Sequence, residues 1–163
     1  MSSHALMHDR DEEVRRLRGC VRDLTALGAL PLIWVGQEAP AVVGSFLDML
    51  LAALHLDLAY ARVNDPRGGP AIEDARADGD PDIGRRAPEI GLPRAALRAL
   101  APTAVPYPLH SRTLNTAVVP LGIEEQGIVA AGSQRADFPT ELDTALLGTA
   151  VNQLTIWLRT AGL

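Results

Sequence analysis

The hydrophobic period changes along this chain, and the order of those changes restricts the fold more than any single motif. Val14, Leu17, Val21 and Leu24 recur at spacings of three and four, and Val42, Val43, Phe46, Leu47, Leu50, Leu51 and Leu54 repeat a broader version of that pattern. Both are faces of helices. The first helix is expected over residues 9–27, ended by Gly28 and Pro31 and preceded by a disordered tail over 1–8; the second spans 39–54. Five short runs bounded by Gly, Pro, Asn or Asp then read as strands: 56–63, 71–76, 105–110, 114–123 and 127–133. A long Asp/Gly/Pro/Arg-rich loop occupies 77–92, with a short Pro-started helix over 93–100. A last helix runs from Thr140 to about residue 160. No strand–helix–strand alternation occurs, so a doubly wound parallel sheet is disfavoured. The expected fold is α+β: a central antiparallel sheet of five to six strands, with the N- and C-terminal helices packed on one face and the loop with its short helix over the other.

Composition narrows the function classes. The net charge is −5 and every basic residue is arginine. Apart from Arg15, Arg16 and Arg18, the arginines are interleaved with acids, which argues against nucleic acid as a partner. No apolar run approaches the length of a membrane span and no signal-peptide pattern opens the chain, so a soluble, cytoplasmic protein without a membrane partner is expected. The single cysteine, Cys20, excludes an internal disulfide framework and a cysteine-based zinc site. His4 and His8 are spaced for chelation on a helix but fall in the expected tail, and no metal or cofactor site is assigned.

The stretch "AAGSQRADFPTEL", residues 131–143, joins the last strand to the last helix. Thr140 stands three residues before Asp143, close to a capping box, and Phe138 pins the joint. The longer run "LNTAVVPLGIEEQGIVAAGSQRADFPTELDTALLGTAVNQL", residues 114–154, resembles the closing half of a GAF domain, and residues 133–153 resemble those of bacterial multidomain sensor histidine kinases. "LPLIWVGQEAPAVVGSFLDMLLAALHLDLAYARVNDP", residues 30–66, is similar to the opening helices and first strand of the same group. The resemblance implies one GAF-like domain over 9–163 that acts as a sensory or regulatory module of a signal-transduction protein. No kinase motif accompanies it, so the module is read as isolated, either a fragment of a longer receptor or free-standing. The alternatives are a structural dimerisation module with no ligand and a cysteine-based methionine sulfoxide reductase.

Catalytic readings find little support. No Gly-x-Ser-x-Gly elbow is present, the glycines at 68–69 lack the rest of a phosphate loop, and Cys20 alone cannot supply both an attacking and a resolving thiol. The module is expected not to be an enzyme. Bilin attachment is disfavoured, since residues 55–133 contain no cysteine, and the lack of lysine weakens a cyclic-nucleotide signature.

Alternation on the first strand sends Ala59, Ala61 and Val63 toward the helices and Leu58, Tyr60 and Arg62 to the opposite face, which in the resembled family is the pocket side. Tyr60 and Arg62 are therefore the leading ligand candidates, with Tyr107, His110 and Thr116 beside them. Arg62 could hold an anion or pair with an acid such as Asp74 or Asp78. A homodimer through the terminal helices is also expected, with Val14, Leu17, Val21 and Leu24 of the first helix and Leu154, Trp157 and Leu158 of the last forming the interface.

Overall fold

The computed structural model describes residues 3–90, 103–109, 112–122 and 126–162. Helices α1 (Ser3–Ile33) and α2 (Ala39–Ala53) lead into strands β1 (Leu58–Val63) and β2 (Ile72–Ala77), followed by a 3-10 segment at Ile83–Glu89. Strands β3 (Thr103–Leu109), β4 (Arg112–Leu121) and β5 (Gly127–Ser133) precede the last helix, α3 (Glu141–Thr160). The strands form one open antiparallel sheet in the order β2-β1-β5-β4-β3. The chain thus builds an α+β fold with five described strands and its helices on one face.

Burial explains why the long helix ignores its breakers. Gly28 and Pro31 were expected to end α1, yet the helix runs on to Ile33. Leu27, Leu30 and Trp34 lie along one side of this stretch and are all buried in the helix-side core. Burying each contributes about 1.5–3 kcal/mol, which together outweighs about 1 kcal/mol for an interior glycine and about 3 kcal/mol for an interior proline. At the other end the helix begins at Ser3, within the stretch expected to be a disordered tail, because nothing before Gly19 interrupts it. The expected short helix over 93–100 lies outside the described residues.

Trp34 is the centre of the helix-side core. Its ring meets Phe46 and Trp157 edge-on, at centroid distances of 6.3 Å each, the geometry that aromatic quadrupoles favour. Around it gather the inner faces of α2 and α3 together with Ala59, Ala61 and Val63 of β1 and Ala117 and Leu121 of β4. The small residues on the strands let the helices approach closely. At the sheet's edge, Arg76 of β2 donates from Nε to Asp48 of α2 at 2.9 Å and from Nη1 to Asp74 at 2.7 Å. Partial burial works against this guanidinium's charge, but hydrogen bonding and attraction from Asp74 and Asp48 outweigh it and raise the pKa. The network ties α2 to β2.

The strand-to-helix joint closes as its sequence suggests. Asp143 N donates to Thr140 Oγ1 at 3.1 Å and Thr140 N donates to Asp143 Oδ2 at 2.9 Å, a reciprocal cap. Arg135 Nη2 also donates to Asp143 Oδ2 at 2.9 Å, and its guanidinium lies 5.5 Å from the centre of the Phe138 ring. The start of β5 needs glycine: Gly127 has φ +145°, and a Cβ there would stand 1.9 Å from Arg62 O.

Candidate functional site

The sheet face turned away from the helices is built from alternate residues, as the pleat requires. Leu58 and Tyr60 of β1, Ala75 of β2, Ala130 of β5 and Leu114 and Val118 of β4 are buried together on it. Ile83, Ala87 and Ile90, from the 3-10 segment and the residue that follows it, join this second core. The described part of the loop expected over 77–92 thus sets three apolar side chains against the face. They cover this part of the face that the sequence reading assigned to the pocket.

Tyr60 and Arg62 take up the faces that alternation assigns. The Tyr60 side chain is buried, and its hydroxyl donates to Glu73 Oε1 at 3.2 Å. Arg62 lies two residues on, at the solvent margin, with its side chain 51% exposed. Its Nη1 donates to the same Glu73 oxygen at 3.0 Å and its Nε to Asn64 Oδ1 at 3.2 Å. Glu73 is directly opposite Arg62 in the β1–β2 register, which is why it, and neither Asp74 nor Asp78, takes the arginine. This side chain completes a surface ion pair and does not reach into a buried site. The alternation was legible from the sequence, but the partner depended on register.

Thr116 is the candidate with unmet chemistry. It stands between Leu114 and Val118 on the same face of β4, its backbone opposite Gly132 of β5 and Val105 of β3. The residue is buried, and among the described residues its hydroxyl has no hydrogen-bond partner. A buried hydroxyl without a partner costs about 1–3 kcal/mol, so a fold keeps one where something else can meet it. Gly132 keeps this neighbourhood tight: a Cβ at that position would meet Leu114 Cδ1 at 3.1 Å. The backbone of Tyr107 pairs with Leu114; its side chain, and His110 altogether, lie outside the described residues.

The terminal-helix candidates divide into two groups. Leu154 and Leu158 are buried within the chain's own helix-side core, and Trp157 packs against Trp34, so these residues of α3 stabilise the monomer and are not an intersubunit face. The reason is geometric, since the inner stripe of α3 is the one that covers β4. On α1, by contrast, Val14, Leu17 and Val21 are 44%, 60% and 62% exposed and line a shallow apolar patch with Arg18 and Arg22. The side chains of Cys20 and Leu24 lie outside the described residues, although their backbone is helical.

Other grooves, with mixed polar and apolar walls, lie elsewhere. One, between the end of β4 and α3, is lined by residues including Gln126, Asn152 and Arg159; another, at the C-terminal end of α2, is flanked by Asp48, His55, Asp57 and Asp78. Among the described residues no set of His, Cys, Asp and Glu side chains is placed to hold a metal ion, and no helix is long and apolar enough to cross a membrane.

No protein-family model matches the sequence, and neither does any curated protein. Solved structures do resemble the fold. The GAF domain of a phosphoenolpyruvate-protein phosphotransferase from Coxiella burnetii superposes with a TM-score of 0.64 at 14% identity, covering 88% of this chain and 98% of that one. The GAF domain of a protein from Pseudomonas syringae pv. tomato described as a sensor histidine kinase gives 0.56 at 16% identity, covering 96% and 95%. The free methionine-R-sulfoxide reductase of Neisseria meningitidis, solved with its substrate, gives 0.55 at 15% identity, covering 88% and 92%. The chain has the GAF-domain fold, and its structural neighbours include a reductase as well as domains of a sensor histidine kinase and a phosphotransferase, so the fold alone does not choose a function.

Proposed function

We propose that this GAF-fold chain is a sensory or regulatory module of a bacterial signal-transduction protein. A small molecule binds on the sheet face away from the helices, and the terminal helices α1 and α3 carry the response. The observation behind the binding role is the unpartnered Thr116 hydroxyl, set in an apolar face between Leu114 and Val118. Apolar walls with one oriented polar group suit a largely apolar ligand that carries a single hydrogen-bonding group. On this reading the site centres on β4 and β5, because at the β1 margin Arg62 is already paired with Glu73.

The module is non-catalytic on this reading. A reductase needs an attacking and a resolving thiol, and this chain has one cysteine. The packing of Ile83, Ala87 and Ile90 favours a second reading, a structural dimerisation module whose far face is filled by its own side chains. A thermal-shift screen of small metabolites separates the two, because a ligand that binds only the native state raises the melting temperature by mass action. Sensing predicts at least one compound whose shift disappears in Thr116→Val. A screen in which no compound shifts the unmodified protein would favour the structural module.

A further inference from the structure

We propose that the groove between the end of β4 and α3 is a second small-molecule site, for an organic acid that carries an N–H or O–H donor. It lies apart from the far face of the sheet and does not depend on binding there. The groove encloses about 450 Å³, within the range of sites that hold small molecules. Val119 and Pro120 of β4 and Val151 of α3 supply apolar wall, and Gln126, Asn152 and Arg159 supply polar groups.

The helix wall is a single line of residues. Gly148, Asn152, Thr155 and Arg159 follow one another at spacings of four, three and four, so they share one face of α3, next to the stripe of Leu147, Leu154 and Leu158 that enters the core. Gly148 is the unexpected member. Glycine weakens a helix interior relative to alanine, and no neighbour requires it here: a Cβ at this position would meet nothing within 4 Å. The space over it is open groove. Thr155 donates its hydroxyl to Val151 O at 2.8 Å, so the polar groups left to a ligand on this wall are those of Asn152 and Arg159.

The opposite wall holds an acceptor in place. Gln126 receives Asn64 N on its backbone oxygen at 2.8 Å, which anchors the residue to the end of β1. Its side-chain Oε1 is buried and, among the described residues, accepts no hydrogen bond. Gly122 makes room for that oxygen: with φ +67° it turns the chain, and a Cβ there would stand 2.5 Å from Oε1. A buried acceptor is stabilised by any donor that reaches it. Arg159 makes the converse demand, because its exposed guanidinium has no ion-pair partner among the described residues and its fork of donors suits a carboxylate. An unmet acceptor and an unpaired cation in one groove select a ligand that both donates a hydrogen bond and carries negative charge. Amino acids, dipeptides and hydroxy acids have that chemistry. A simple anion such as acetate would satisfy Arg159 and leave Gln126 Oε1 unmet.

Heteronuclear NMR of the full chain, titrated to millimolar concentration with the common amino acids, a set of dipeptides, lactate, malate and citrate, tests the site. At least one compound should shift the Gln126 side-chain amide and the Gly148 and Asn152 backbone amides saturably, and acetate should bind at least about tenfold more weakly. Arg159→Gln should weaken that compound about tenfold or more, and Gln126→Leu should erase its margin over acetate. Gly148→Leu should block it by filling the groove, while the ligand-free chain melts no lower, since leucine is the better helix former. A panel in which no compound moves these amides overturns the proposal. Unchanged affinity in Arg159→Gln overturns it too, whatever Gly148→Leu does to folding. The methyls of Leu114 and Val118 should stay still throughout, so failure of this site and failure of the far-face site are told apart.

Discussion

Thr116→Val replaces a far-face side chain whose buried hydroxyl is unmet among the described residues with an isosteric apolar one. Thr and Val are both β-branched and share the same stiffness about χ1, so β4 itself should be indifferent to the exchange. What changes is the hydroxyl, buried between Leu114 and Val118 with no partner. Relieving an unsatisfied buried hydroxyl is worth about 1–3 kcal/mol. At about 2–4 °C per kcal/mol for a domain of this size, the ligand-free variant should melt roughly 2–12 °C higher. Differential scanning calorimetry and urea unfolding should agree on the sign, and the urea midpoint should rise without a change in slope. A variant less stable than the unmodified protein by about 1 kcal/mol or more would refute the reasoning, because the hydroxyl would then be losing a partner and not a penalty.

Other substitutions test the frame around the site. Gly127→Ala places a Cβ against Arg62 O in a backbone conformation that L residues resist; it should cost several kcal/mol and register as loss of the cooperative melting transition. Thr140→Ala removes half of the reciprocal cap on α3 and should cost about 1 kcal/mol by urea unfolding. Arg62→Ala breaks an exposed pair while leaving Tyr60 bonded to Glu73, so its stability change should stay within about 0.5 kcal/mol.

Where one local signal dominated, the sequence was a reliable guide. The run from Gly127 to Ser133 is bounded by glycine and a turn, and the strand occupies those residues. The hydroxyl-and-carboxylate spacing before α3 forms the expected cap. The two faces of β1 follow from alternation alone, and the helix-side and far-side cores divide its residues accordingly.

Features that depended on tertiary partners were not legible. The burial of Leu27, Leu30 and Trp34 overrides Gly28 and Pro31, and no local rule shows that contest. Ile83, Ala87 and Ile90 stand in a polar stretch without period, and they become a roof only once β1 and β2 supply a surface. Leu154 and Leu158 show the same limit in reverse. Their spacing suits a subunit seam as well as a domain core, and only the position of α3 over β4 separates the two. Thr116 looked like a minor candidate because a lone threonine in a strand carries no signal until its hydroxyl proves to be buried and unpaired.

The central claim, a small-molecule site on the sheet face away from the helices, is tested most directly by methyl-resolved NMR during titration with any compound that raises the melting temperature. Resonances of Thr116, Leu114, Val118 and Ala130 should shift together and saturably, with those of Val42, Leu47 and Leu147 in the helix-side core moving little. Shifts confined to the helix-side core or to α1, with the far-face methyls unchanged, would contradict the account.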